Sequence, residues 1–212
     1  MSKTEIWLIR HGETDWNAEQ RLQGWRDIPL NDSGKAQAKS VQRFLEQQRI
    51  AFDAVLSSDL QRAIQTAEIA FECTPESIIC LPQLRERNYG IYEGHPWQSL
   101  TQLPDQPEPE INLRNPDLIV PEGESLLTFN QRIITAFNDI AVQRPNQKLA
   151  VIAHGGVIEM VWRYIQKADL STPRPYKILN ASVNHFVIDQ QRHWHEIAWA
   201  QTDHIQTANE GL

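Results

Sequence analysis

The chain has 212 residues, 41% of them hydrophobic and 22% charged, with a formal net charge of −7. This composition suits one globular domain, residues 1–212, with a substantial core and argues against disorder. The acidic balance argues against nonspecific binding to nucleic acid or to an anionic membrane surface. No apolar run approaches the roughly 20 residues that span a bilayer, and Met1–Glu5 lacks the features of a secretory signal, so the expected location is cytoplasmic. Cys73 and Cys80 have neither metal-site nor redox-motif spacing.

Ile6, Trp7, Leu8 and Ile9 form an apolar run of strand length that leads into Arg10-His11-Gly12-Glu13-Thr14-Asp15-Trp16-Asn17. In open α/β sheets, ligands bind at the carboxyl ends of strands, so the guanidinium of Arg10, the imidazole of His11 and the Asn17 amide can converge on one anion. Alternatively, His11 is a hydrogen-bonded histidine at a strand end. Arg21 to Leu30 is a polar and aromatic loop suited to lining a pocket. Asn31 to Gly34 supplies capping side chains for an amphipathic helix through Ala38, Val41, Phe44 and Leu45 that ends near Arg49. A second strand, Phe52 to Leu56, again runs into a polar cluster, Ser57-Ser58-Asp59. Leu60, Ala63, Ile64, Ala67 and Ala70 then trace a helix face, with Ser58 or Asp59 as its cap. Arg62 lies in the first turn, where a cation opposes the helix dipole; it either helps to hold an anion there or forms a surface ion pair with Asp59.

Ile78 to Leu81 reads as a third strand. Glu86 follows it, between Arg85 and Arg87, cations that favour the ionised carboxylate, so a general acid at this position requires burial. Glu93 is a second, less favoured acid. From Pro96 to Glu124 the chain is rich in proline and acid, with Arg114 as its only basic residue; a short helix near Trp97–Leu103 and a lid or insertion at about 90–124 are expected. Ser125 caps a strongly periodic helix through Leu126, Phe129, Ile133, Phe137 and Ile140, which reads as core. Lys148 to Ala153 is a nearly continuous apolar strand ending in His154-Gly155-Gly156, with a helix over Val157–Ala168 and bare amides at its N-terminus. Ser182 to Asp189 and His193 to Ala200 form a hairpin, and a frayed tail starts near Thr202. His185, His193, His195 and His204 lack the partners that would complete a metal site. Trp25, Tyr89, Tyr92 and Trp97 are the aromatic candidates for a pocket wall.

Leu8 to Asn17, Ser57-Ser58-Asp59-Leu60-Gln61-Arg62-Ala63, Glu86-Arg87-Asn88-Tyr89-Gly90 and Ala153-His154-Gly155-Gly156 occur in this order, each after an expected strand. Together they resemble the histidine phosphatase superfamily, which includes cofactor-dependent phosphoglycerate mutases and related phosphatases. The resemblance implies a three-layer α/β/α sandwich with a mostly parallel sheet and an antiparallel edge, as the alternation of strands and helices also does. It implies that His11 attacks phosphorus, that Arg10, Asn17, Arg62, His154 and the Gly155 amide bind phosphoryl oxygens, and that Glu86 is the proton donor. Gln23, Gly24 and Tyr89 are expected on the substrate side. No metal ion or cofactor is implied. The nucleophile needs a lone pair on one ring nitrogen, so the other nitrogen of His11 is expected to donate to a backbone carbonyl. The acidic character of the 96–124 segment favours a phosphatase of a small phosphomonoester over a phosphoglycerate mutase, because it would repel a doubly anionic substrate. The alternatives are that mutase and a phospho-ligand-binding protein without turnover.

Overall fold

Strand β1 (Lys3–Arg10) is covered on both faces, Ile6 and Leu8 packing to one side and Trp7 and Ile9 to the other. The computed structural model describes residues 3–97 and 111–205. The other strands are β2 (Ala54–Ser57), β3 (Ile79–Cys80), β4 (Lys148–Ala153), β5 (Val183–Asp189) and β6 (Trp194–Gln201). The helices are α1 (Asp15–Ala18), α2 (Asp32–Gln47), α3 (Gln61–Phe71), α4 (Leu126–Gln143) and α5 (Gly155–Gln166). One six-stranded sheet runs β3-β2-β4-β1-β5-β6. Its first four strands are parallel, and the β5–β6 hairpin adds the antiparallel edge.

Period-two alternation divides the core. Leu149, Val151 and Ala153 join Ile6, Leu8 and Phe186 against Phe129, Ile133 and Phe137 of α4 and Val157, Ile158 and Val161 of α5. On the opposite face, Trp7, Ile9 and Val183 meet Val41 and Leu45 of α2, while Ala150 and Ile152 meet Ala63 and Ala67 of α3. The result is the expected α/β/α sandwich.

This order places a ligand site. The chain leaves β1 toward β2 by way of α2, and leaves β4 toward β5 by way of α5 on the other face, so the connections diverge from two adjacent parallel strands. A crevice opens where connections diverge in this way. Arg10 is in register with Ala153, which brings His11 and His154 together at the mouth of that crevice.

Several local expectations change. The α2 cap is Asn31, whose side chain accepts the Gly34 amide proton, and the helix stops at Gln47 rather than Arg49. Helix α3 starts from Leu60 without a side-chain cap, because the Asp59 carboxylate is taken by Arg85 (Nε–Oδ1 2.7 Å). The third strand contracts to two residues. Residues 98–110, where most of the short helix was expected, lie outside the described residues. In the rest of that stretch, Leu113 and Val120 are buried against Leu22 and Tyr92. Residues 202–205, the expected start of a frayed tail, are held on the body: the His204 ring stacks on Phe44 at 4.8 Å and its Nε2 lies 2.9 Å from the Ala181 carbonyl. Residues 206–212 lie outside the described residues.

Candidate active site

His11 is almost completely buried, and its Nδ1 is 2.6 Å from the Gly12 carbonyl. A carbonyl only accepts, so Nδ1 carries the proton and the Nε2 lone pair is free. Burial, reinforced by Arg62 and Arg10, holds the imidazole pKa well below its ordinary value and keeps the ring neutral. The His154 ring lies 5.2 Å away, centroid to centroid, and is neutral for the same reasons: burial first, then Arg62, His11 and Arg10.

Two guanidinium groups flank the imidazoles. Arg62 is fully buried rather than paired with Asp59 at the surface, and donates to the carbonyls of Arg26 and Gly24, both at 2.8 Å. Arg10 donates to the Ile178 carbonyl and lies against Gly155 at the start of α5. Burial pulls both arginines down to about 10, so both stay charged near neutrality. Among the described residues, nine buried side-chain nitrogen or oxygen atoms have no hydrogen-bond partner. Five belong to this site: Nε of Arg10, Nε of Arg62, both ring nitrogens of His154 and Oε1 of Gln23. Buried polar atoms rarely go unpaired, and the three N–H donors this set supplies, one each from Arg10, Arg62 and His154, mark with the two buried cations a place for an anion; Gln23 Oε1 only accepts.

Arg10, His11, Asn17, Gln23, Gly24, Arg62, Glu86 and Tyr89 line one cavity of about 90 Å³. Asn17 Oδ1 accepts from the Thr14 amide (3.2 Å), the Thr14 hydroxyl (3.1 Å) and Asn180 Nδ2 (3.3 Å), which leaves its own Nδ2 as a donor for the cavity. Glu86 is half-buried, and its neighbours in sequence turn away from it. Arg85 pairs with Asp59, and Arg87 donates to the carbonyls of Glu124 and Leu113. The Glu86 carboxylate instead accepts the amides of Arg87 (2.8 Å) and Gly156 (2.9 Å). A Cβ on Gly156 would fall 2.1 Å from Glu86 Oε1, so this contact at the α5 N-terminus requires glycine.

A sequence profile described as histidine phosphatase superfamily (branch 1) matches residues 6–202. The chain belongs to the histidine phosphatase superfamily. It is 35% identical over 205 residues to phosphoglycerate mutase-like protein 4 of Arabidopsis thaliana, covering 95% of this chain and 87% of that one. It is 34% identical over 207 residues to the metal-independent phosphoserine phosphatase of Arabidopsis thaliana, covering 96% and 84%. A crystal structure of an Entamoeba histolytica phosphoserine phosphatase mutant in complex with phosphoserine superposes with a TM-score of 0.80 at 24% identity, covering 95% of this chain and 99% of that one, which establishes likeness of fold.

Within this histidine phosphatase chain, the other candidates separate. Glu93 does not face the cavity as an acid. Its Oε1 accepts the amides of Trp25 (2.8 Å) and Tyr89 (3.1 Å), and it packs where a side chain on Gly24 would be; Gly24 has φ +51°. Tyr92 is core, and Trp25 donates to the Glu86 carbonyl rather than lining the cavity. Tyr89 and Trp97 also line a second, adjoining cavity of about 70 Å³ with Leu113, Leu126, Phe129, Met160, Arg87, Arg114 and Glu159.

The expected acidic repulsion finds no support among the described residues. Asp117 and Glu122 are exposed, and Glu124 is paired with Arg132. Among the described residues the one carboxylate lining the second cavity is Glu159, which meets Arg114 (3.4 Å) of the same lining and, behind it, Arg163 (2.7 Å) and Arg174 (3.0 Å). His193 and His195 pair locally with Asp189. Two site contributors were not singled out from the sequence. Asn180 ties the His11 carbonyl (3.1 Å) to Asn17, and the Thr66 hydroxyl accepts the Gly12 amide (3.0 Å).

The neutral imidazoles set a pH dependence. Between their depressed native values and 6.5, the unfolded chain binds protons at His11 and His154 that the folded chain does not. Stability therefore falls as pH drops below 6.5, by about 1.4 kcal/mol per pH unit for each ring, and neither ring contributes to the slope well above it. His154→Asn will remove about one ring's share of that slope in denaturant titrations at pH 7.5, 6.0 and 5.0. An unchanged slope would show that His154 takes up protons equally in the folded and unfolded chain.

Proposed function

We propose that this protein is a metal-independent phosphomonoester phosphatase that acts on a small phosphorylated metabolite through a phosphohistidine on His11. The observation that carries this reading is the free Nε2 of His11 set beside the unpaired donors of Arg10, Arg62 and His154. In the first half-reaction, Nε2 attacks phosphorus and the ester P–O bond breaks. Arg10, Arg62, His154, the Asn17 amide and the Gly155 N–H balance the charge spread over the phosphoryl oxygens, and Glu86 gives its proton to the leaving alkoxide. In the second, the Glu86 carboxylate takes a proton from water as that water attacks phosphorus, the P–N bond breaks and inorganic phosphate leaves. Donors fixed by the fold can supply this stabilisation without a metal ion.

The second cavity supports a leaving group of modest size, with Tyr89, Trp97, Phe129 and Met160 for its carbon skeleton and Arg114 for a carboxylate. Arg114, which lines this cavity, favours carboxylated phosphomonoesters such as phosphoserine over phosphomonoesters with an uncharged leaving group. Phosphate release from phosphoserine, 3-phosphoglycerate, ribazole phosphate and p-nitrophenyl phosphate in excess chelator tests the proposal. We expect turnover unaffected by the chelator and fastest with a carboxylated substrate. Binding without turnover across this panel would favour the phospho-ligand-binding alternative, and bisphosphate-primed interconversion of 3- and 2-phosphoglycerate in preference to phosphate release would favour a mutase.

A further inference from the structure

Glu86 lies beyond the short 3₁₀ turn Pro82–Leu84, in a stretch without a helix or strand of its own to fix it. Arg132, on the otherwise core-forming α4, supplies what that stretch lacks. Its Nη1 donates to the carbonyls of Gln83 (2.7 Å) and Arg85 (3.1 Å), and its Nη2 to the carbonyl of Glu86 (3.2 Å). Nε and Nη2 also form a bidentate pair with the Glu124 carboxylate at 2.9 and 2.7 Å. Glu124 extends the contact: its Oε2 accepts the Asn88 amide (3.3 Å) and its carbonyl accepts Arg87 Nε (3.0 Å). Gln83, Arg85, Glu86, Arg87 and Asn88 are thus each bonded directly to the Arg132–Glu124 pair. Both partners are mostly withdrawn from solvent, and the Phe129 ring lies 5.1 Å from the Arg132 guanidinium carbon.

We infer that Arg132, oriented by Glu124, is a positioning residue that holds the Glu86 carboxyl group at the α5 N-terminus for both proton transfers; this rests on the role proposed for Glu86. A planar fork can serve three carbonyls and a carboxylate together, whereas an ammonium group lacks that geometry. A misplacement of about 1 Å in a catalytic group costs up to 100-fold in rate. The defect should therefore depend on the leaving group, because an alkoxide needs the proton of Glu86 and p-nitrophenolate does not.

The test compares Arg132→Gln and Arg132→Lys with the wild-type chain. In both, kcat/KM for phosphoserine is expected to fall about tenfold or more beyond any fall for p-nitrophenyl phosphate. With p-nitrophenyl phosphate, a burst of nitrophenolate approaching one equivalent is expected, as phosphohistidine waits for an activated water. Backbone hydrogen exchange over residues 83–88 is expected to accelerate. If Arg132→Gln does not fold, Glu124→Gln keeps the arginine while weakening its orienting partner, and should show a smaller defect of the same selectivity. Equal losses for both substrates, or unchanged exchange over 83–88, would overturn the inference. An inactive wild-type chain would instead overturn the phosphatase reading, and with it the catalytic part of this one.

Discussion

His11→Ala is expected to abolish turnover of every phosphomonoester, by about 10⁴-fold or more, while leaving the anion site able to bind inorganic phosphate. Only His11 combines a ring nitrogen freed by a donor hydrogen bond, here to the Gly12 carbonyl, with a position among the buried cations. The His154 nitrogens are both unpaired, so no carbonyl selects its nucleophilic tautomer. Alanine removes the attacking atom and leaves Arg10, Arg62 and His154 in place, which is why binding should outlast chemistry. Rapid quenching with ³²P-labelled substrate should trap an acid-labile, base-stable protein phosphate in the wild-type chain and none in His11→Ala. Label that survives in His11→Ala and disappears in His154→Ala would reverse the two assignments.

Glu86→Gln is expected to lower kcat/KM for alkyl phosphates by about 10²- to 10⁴-fold, with a much smaller effect on p-nitrophenyl phosphate. The amide has nearly the shape of the carboxylate and its oxygen can still accept the Gly156 N–H, while its NH2 then faces the Arg87 N–H; that lost contact falls on alkyl and aryl substrates alike, so the difference between them reports proton transfer. An aryl leaving group departs without a proton, but the phosphoenzyme it leaves behind still needs water to be deprotonated. Phosphohistidine should therefore accumulate during aryl phosphate turnover. If alkyl and aryl phosphates slow equally and no phosphoenzyme builds up, Glu86 is not the acid and base.

Much of the fold was legible because its signals are local and periodic. The apolar face of α4, the continuous run of β4 and the alternation in β5 each follow from burial on a helix stripe or a strand face. The site residues stood out through type and placement: a cation in the first turn of α3, and histidines at two strand ends. Their environments were not legible. Arg62 was as compatible with a surface pair to Asp59 as with full burial, since nothing local shows that Asp59 turns to Arg85 or that the carbonyls of Gly24 and Arg26 come to meet Arg62. Arg132 and Asn180 carry no periodic signal, because their partners lie 46 and 169 residues away. The acidic stretch shows a related limit: composition counts charges, whereas selectivity depends on which of them face the ligand, and of the acids among the described residues Asp117 and Glu122 face water while Glu124 pairs with Arg132.

Strand β4 lies between β1 and β2, both of which precede it by roughly a hundred residues or more of chain. Until it enters, β1 and β2 each present an open parallel edge to the other, and the crevice that carries His11 has only one wall. Non-local parallel pairing of this kind is formed slowly, after the loops it closes have been ordered. The same insertion that completes the hydrophobic middle of the sheet delivers His154 to its neighbour. Partly folded chains thus hold His11 and Arg10 without His154 across the crevice, and the candidate site is complete only in molecules that have finished assembling their centre.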